Sequence, residues 1–199
     1  MRSLKILFFI FLPFLAIGQA RVSIDLIYSF DKGFRSINSP DPSIIDLKDM
    51  NEKSKNGARY GVNLNYYLNQ KITLKSGVRW VKTGYHSDLE NENYDYKFIE
   101  IPVGLRYYYS ENRFRLFSEL GIGFHYLNES NNNQININDQ RWSIVGMVGL
   151  GIDFDYSPDL SFFAQPIFRY HLTETNDSNG LLEENLYNTG VELGFRVKF

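Results

Sequence analysis

The sequence predicts an all-β chain, an eight-stranded antiparallel up-and-down transmembrane β-barrel. Three observations predict it. Apolar and polar residues alternate with period two through eight separate runs. The runs are about 9–13 residues long, which matches a tilted membrane-crossing strand better than the usual globular strand of about 5–6 residues. The connections between runs alternate long and short, as the extracellular loops and periplasmic turns of outer-membrane barrels do.

A segment of different character precedes the runs. Arg2 and Lys5 are positive, Ile6 to Leu15 is apolar apart from Pro13, and Ala16-Ile17-Gly18 is a small-x-small cleavage site. This predicts a signal peptide over residues 1–18 and a barrel domain over residues 19–199, with cleavage after Ala20 as the second choice. The apolar stretch of about 12 residues falls short of the roughly 20 that span a bilayer.

The first run carries Val22, Ile24, Leu26, Tyr28 and Phe30 on one parity, and a long connection from Asp31 to Asn56 follows. Ala58 to Leu68 repeats the pattern, the tight Asn69-Gln70 turn follows, and Ile72, Leu74, Val78 and Trp80 resume it. After a long connection from Gly84 to Tyr94 comes Ile99 to Tyr109, then the tight turn Ser110 to Arg113. Phe114 to Tyr126 leads into a long, Asn-rich connection from Leu127 to Gln140. Ile144 to Phe154 and Leu160 to Tyr170 flank the tight turn Asp155 to Asp159. Leu172 to Leu186 is long, and Tyr187 to Phe199 is the last run. An even number of strands returns both ends of the domain to the periplasmic side.

The opposite parity carries the charge. Asp25, Arg59, Lys75, Arg79, Glu100, Arg106, Arg115, Glu119, Asp153, Arg169, Glu192, Arg196 and Lys198 share it, whereas Lys82 is an exception on the apolar parity near a rim. An eight-stranded barrel encloses room for side chains or one small ligand. The bulky aromatic face therefore suits lipid, and the charged face points inward. Isolated buried ions cost several kcal/mol each, so these residues are expected to pair. The expected network is Arg79, Glu100, Arg106, Arg115, Glu119, Asp153, Arg169, Glu192 and Arg196, which makes a plugged polar core.

Composition narrows the function classes. The 199 residues are 43% hydrophobic and 16% aromatic with a net charge of −2, and no basic run with interleaved aromatics suggests nucleic acid. The absence of cysteine excludes disulfides, thiolate metal sites, a cysteine nucleophile and a lipidated N-terminal cysteine. The mean hydropathy of −0.32 does not argue against a membrane barrel, because only alternate residues face lipid.

Several segments resemble the PorT-like outer-membrane β-barrel family of the Bacteroidetes. Phe98-Ile99-Glu100-Ile101-Pro102-Val103 looks like that family's Y-L-E-I-P strand, and Gly77 to Tyr85 looks like its G-x-x-Y-x-x-K-G strand. Glu119 to Gly123 and Gly149 to Asp153 resemble its glycine-bearing middle strands, and Leu193 to Phe199 resembles its final strand. The resemblance implies the outer membrane as location and a bulge or unpaired site at Pro102. It also implies a terminal-aromatic assembly signal at Phe199, read by the outer-membrane assembly machinery.

Residues that could carry chemistry are few. His86, His125 and His171 are the three histidines, all placed near extracellular rims and expected to be solvated. His171 with Ser143, or His125 with Ser130, would be needed for a lipid-modifying nucleophile and base, but no spacing supports either pair. Glu100 and Glu119 are expected to be arginine partners in preference to an acid/base pair. The loop acids, Asp31 and Glu52 among them, lack any calcium-site spacing. The expectation is a non-enzymatic barrel without a cofactor, playing a structural, adhesive or secretion-accessory role through its loops. Its partners would be outer-membrane lipids and lipopolysaccharide, the assembly machinery and a protein at the loops. A small-ligand or transport barrel is the alternative, and a lipid-modifying enzyme comes third.

Overall fold

A bilayer leaves no water for backbone amides and carbonyls, so a chain of crossing strands must pair every strand on both sides. The computed structural model describes residues 22–38, 52–88, 91–130, 141–173, 175–176 and 183–199. Within them run strands β1 (Val22–Asn38), β2 (Glu52–Tyr67), β3 (Ile72–Ser87), β4 (Glu92–Tyr108), β5 (Phe114–Ser130), β6 (Trp142–Ser157), β7 (Leu160–His171), β8 (Thr175–Asn176) and β9 (Glu183–Lys198). Each long strand pairs antiparallel with the next, β7 pairs β9, and β1 pairs both β2 and β9. Ile24 therefore lies opposite Leu64 on one side and Val197 on the other, and the wall is a closed barrel of eight long strands. The two residues of β8 add a short ladder onto Glu183 and Glu184 of β9. The expected signal peptide, residues 39–51 of the first long connection and the Asn-rich segment over 131–140 lie outside the described residues.

One end of the barrel carries the tight turns. Asn69 Oδ1 accepts hydrogen bonds from the amides of Lys71 and Ile72, both 2.8 Å, which closes the β2–β3 turn as an Asx motif. The start of β1 and the end of β9 meet there too, with Phe199 N donating to Val22 O at 2.9 Å.

Toward the loop end the strands run further than the alternation suggested. Tyr85 pairs with Tyr94 and Ser87 with Glu92, so the segment expected as a long loop from Gly84 to Tyr94 is mostly a continuing hairpin. Asp31, expected to open the first loop, lies within β1 opposite Gly57 and Gly190. Most long strands have 16 or 17 residues. At a typical tilt such a strand rises roughly 40 Å, against an apolar band of about 25 Å. The surplus projects from the membrane at the loop end, where an outward polar residue costs nothing and the apolar signal fades.

The outward face matches the expected lipid surface. Leu26, Leu64, Leu116, Leu120, Leu150 and Ile152 are all exposed, Leu120 to 68%. Aromatic pairs bound this band. Tyr60 stacks on Trp80 (5.8 Å) and Tyr126 packs on Trp142 (5.1 Å) toward the loop end, and Phe114 on Phe154 (4.5 Å) and Tyr107 on Tyr109 (5.3 Å) toward the turn end. Such rings sit well at headgroup level.

Pro102 lies in mid-strand and keeps its partner Gly123 on β5, while the β3–β4 ladder skips from Ser76–Val103 to Arg79–Glu100. Pro166 does the same on β7, keeping Val191 of β9 while the β6 ladder skips from Gly149–Ile167 to Ile152–Ala164. Each proline turns its missing donor to one neighbour only, which limits the loss to one seam.

Leu120 tests the orientation of the wall. Leu120→Arg places a charge midway between the aromatic rows, so it is expected to lower the unfolding free energy in lipid vesicles by about 2–4 kcal/mol. Urea unfolding followed by tryptophan fluorescence, with the unboiled gel band as a check of folding, measures it. A barrel with Leu120 in water would be indifferent to the change.

Candidate functional site

The inward residues of the eight strands meet inside a narrow barrel, and their chemistry changes in layers from the turn end to the loop end. Nearest the turns, Arg196 of β9 grips Asp25 of β1 with Nε (2.6 Å) and Nη2 (3.0 Å). Its Nη1 reaches Asp153 of β6 (2.5 Å) and the hydroxyl of Tyr108 of β4 (2.6 Å). Tyr108 in turn donates to Asp153 at 2.9 Å. One guanidinium thus ties four strands. Ile27, Tyr108, Phe117 and Phe163 form an apolar cluster around it, and Arg106 stacks over Phe117 (4.1 Å) and Phe163 (4.5 Å).

Inward glycines make the room for this. A Cβ on Gly194 would collide with the Phe163 ring, and one on Gly151 with the Phe117 ring, so both aromatic side chains lie over a strand that has no side chain there.

In the middle of the barrel Glu119 holds Lys75 and accepts from Arg106 Nε (3.0 Å) and Nη2 (2.8 Å). Glu192 accepts from Arg169 (2.8 Å), Gln165 (3.2 Å) and Arg79 (3.3 Å). Arg79 also reaches Glu100 (3.2 Å) and Asn63 (3.0 Å). Glu100 then bonds Arg59 and, at 2.6 Å, His125. Asp31 closes this layer, with Arg169 at 3.2 Å, Arg59 at 3.4 Å and the Ser29 hydroxyl at 2.5 Å. Above it His125 and His171 meet edge to face at 5.1 Å and both pack on Phe98. Val81, Tyr85, Tyr94, Tyr96, Phe98 and Leu127 cap the core as a second apolar cluster.

The core is electrically balanced. Among the described residues the buried acids are Asp25, Asp31, Glu100, Glu119, Asp153 and Glu192, and the buried bases are Arg59, Lys75, Arg79, Arg106, Arg169 and Arg196. Arg115 and Lys198 sit at the turn-end mouth, half-buried, and both bind Asp155 (2.9 and 2.5 Å). Among the described residues the fully buried ions carry no net charge, and each has a partner, which low-dielectric burial requires.

All nine residues expected in the network lie inside the wall, with Arg115 at its edge. Four further members complete the ionic set. Asp25, Arg59 and Lys75 already shared the inward parity in the sequence. Asp31 was hidden by its place after the last outward aromatic of β1, although it keeps the parity of Asp25 and Ser29. The inward aromatic residues Tyr108, Phe117, Phe163 and Phe98 were also missed, because aromatic rings read as lipid-facing.

The histidines differ from expectation. His125 and His171 are buried, 0% and 4% exposed, because the strands continue above them and the aromatic cap covers them. His86 alone sits at a partly exposed rim, 3.0 Å from Asp88. Ser143 is the cross-strand neighbour of His125, yet its hydroxyl bonds to neither ring. Glu100 and Glu119 serve bases, as expected. Asp31 is an inward ion-pair partner and Glu52 pairs with Arg35, so neither is a loop calcium ligand. No group of three metal-ligating side chains occurs among the described residues.

Removing one member of the network exposes its worth. Arg196→Met leaves Asp25 buried beside Tyr108 without its cation and Asp153 with only Arg115 at 3.4 Å. The expected loss is about 3–5 kcal/mol of unfolding free energy, or failure to assemble. Denaturant unfolding with heat-modifiability on gels reads both.

Comparison with known proteins agrees with this geometry. The model of the outer membrane protein beta-barrel domain family matches residues 16–199. Neisserial surface protein A is similar in structure, at 16% identity over 89% of this chain and 97% of that one, with a TM-score of 0.52. The outer membrane protein AlkL, solved in DMPC bilayers, is similar at 10% identity over 92% of this chain and 93% of that one, with a TM-score of 0.50. At such identities the likeness is one of fold alone. Among curated proteins no match was found. The closed wall, its apolar outer band and the family match together place the protein in the outer membrane. The chain belongs to the outer membrane protein beta-barrel domain family.

Proposed function

We propose that this protein is a sealed, non-enzymatic barrel whose extracellular end is a platform for a partner outside the cell, in a structural, adhesive or secretion-accessory role. One observation carries the reading. The interior is filled by a neutral, cross-linked ionic network between two apolar clusters, so long side chains occupy the space a transported solute would need. A rigid wall with strands extended beyond the membrane is a suitable mount for binding loops.

The extension is braced for that task. Arg35 pairs with Glu52, Lys55 Nζ with Asp95 at 2.9 Å, and Lys53 Nζ with Asp88 at 2.5 Å. The hydrogen bond from Lys53, with His86 beside it, holds the Asp88 carboxyl below its usual range. Within its family, the Phe98–Val103 and Gly77–Tyr85 segments support a PorT-like branch. Phe199, exposed at the periplasmic end, fits a signal read by the assembly machinery. In the outer leaflet, lipopolysaccharide is the proposed lipid neighbour.

Planar-bilayer recording tests the sealed core. Purified protein is expected to give no stable open level at 1 M KCl, and Arg169→Ala with Arg79→Ala should introduce flickering currents. Stable wild-type channels would turn the reading to transport. A second measurement addresses chemistry. The acyl pattern of lipid A from cells with and without the protein is expected to be the same, and a lost or gained acyl chain would make the barrel an enzyme.

A further inference from the structure

The outer wall changes character just above the extracellular aromatic row. On β1 the outward series runs Tyr28, Phe30, Lys32 before reaching Phe34, and on β3 it runs Val78, Trp80, Lys82 before Gly84 and His86. On β4 Lys97 stands directly above Ile99 and Ile101. All three lysines are exposed. Lys82 and Lys97 are cross-strand partners. Ala58 separates Lys82 from Phe30 of β1, and Lys32 lies one outward step above Phe30.

Two ammonium groups facing each other across a ladder repel, so this arrangement calls for an anion. Among the described residues the protein supplies one for Lys97 and none for Lys82 or Lys32. Glu129 is held by Lys97 at 2.5 Å, and Asp95 is held by Lys55 at 2.9 Å. Among the described residues neither Lys32 nor Lys82 forms an ion pair or hydrogen bond, and Lys82 keeps the repulsion of Lys97. Among the described outward residues of β3 and β4 from the aromatic row upward, Lys97 is thus paired with Glu129, Asp95 with Lys55 and His86 with Asp88, while Lys82 has no acid.

The height of these lysines decides what kind of anion fits. Trp80, stacked on Tyr60, marks the headgroup boundary, and Val62, Val78, Ile101 and Val103 below it are exposed to hydrocarbon. Lysine stems can lie along the wall while their ammonium groups reach upward into the phosphate layer. We propose that Lys82 and Lys97, with Lys32, form a site on the outer wall for the phosphate group of an outer-leaflet lipid, whose acyl chains rest on the apolar residues beneath. This deepens the proposed lipopolysaccharide contact by naming the group held and the residues that hold it. It needs nothing of the partner at the loops.

Native mass spectrometry of the full-length protein, purified from outer membranes in detergent, tests the site. The probes are bisphosphorylated lipid A, the same lipid A with its phosphates removed, and inorganic phosphate. Wild type is expected to retain the phosphorylated lipid and to lose it roughly fivefold more readily for each lysine changed to glutamine, about 25-fold for Lys82→Gln with Lys32→Gln. Lys82→Arg, which keeps the charge, should retain it within twofold, and Lys71→Gln at the periplasmic turn should change nothing. The unboiled gel band confirms that each variant is folded. Equal retention of the dephosphorylated lipid, or unchanged retention by the double variant, would overturn the site. Displacement of the lipid by millimolar inorganic phosphate would show a soluble anion as the ligand and overturn the lipid assignment. Outer-membrane fractionation of the same variants separates failure of this site from failure of the membrane placement.

Discussion

Everything in this molecule depends on the ladder between β1 and β9. In hydrocarbon an unpaired amide or carbonyl costs several kcal/mol, so an open sheet edge is not tolerated. The pairing from Ser23–Lys198 to Asn38–Glu183 removes both edges at once. Closure with eight strands then sets the internal width, and the width sets the residue sizes. Long inward arginines and aromatic rings fit only because glycines such as Gly194 and Gly151 leave the facing wall bare.

A narrow closed interior under lipid must be filled, and here it is filled with charge. Arginine suits this use because its planar fork can satisfy partners on several strands together. Arg196 joins Asp25, Asp153 and Tyr108, and Arg169 joins Asp31 and Glu192. The same guanidinium groups lie flat on aromatic rings, as Arg196 does on Phe163 at 5.2 Å. Among the described residues, the balance of six buried acids against six buried bases follows from electrostatics, since any surplus ion would lack a counter-charge in low dielectric. Cross-linking of the strands and filling of the interior are therefore two consequences of one network.

Along the barrel axis the polarity of the two faces exchanges. At membrane depth the outside is leucine and valine and the inside is ionic. Beyond the aromatic row toward the loop end the outside carries Lys82 and Lys97 while the inside carries Tyr85, Tyr96 and Phe98. Period two persists through the exchange, because the pleat does not change when the solvent does. This is why the strands continue where a search for outward apolar residues stops. The rim keeps its shape through ordinary burial of aromatics, as a soluble sheet would.

The alternation of Leu26, Tyr28 and Phe30 with Asp25, Ile27 and Ser29 is a local property of the chain, and so is the tight turn at Asn69-Gln70. From such features the sequence by itself determined the strand number, the closed antiparallel architecture, the lipid face and most of the inward residues of the ionic core. It did not determine who pairs with whom. Arg196 and Asp25 stand 171 residues apart, and Arg169 and Asp31 stand 138 apart. Their meeting depends on the register at which each strand joins the next and on the diameter reached at closure. The burial of His125 and His171, the inward rings of Phe117 and Phe163, and the place of Asp31 were decided in the same way, by tertiary structure alone. A pattern of period two says which side a residue takes, whereas only the closed barrel says what waits on that side.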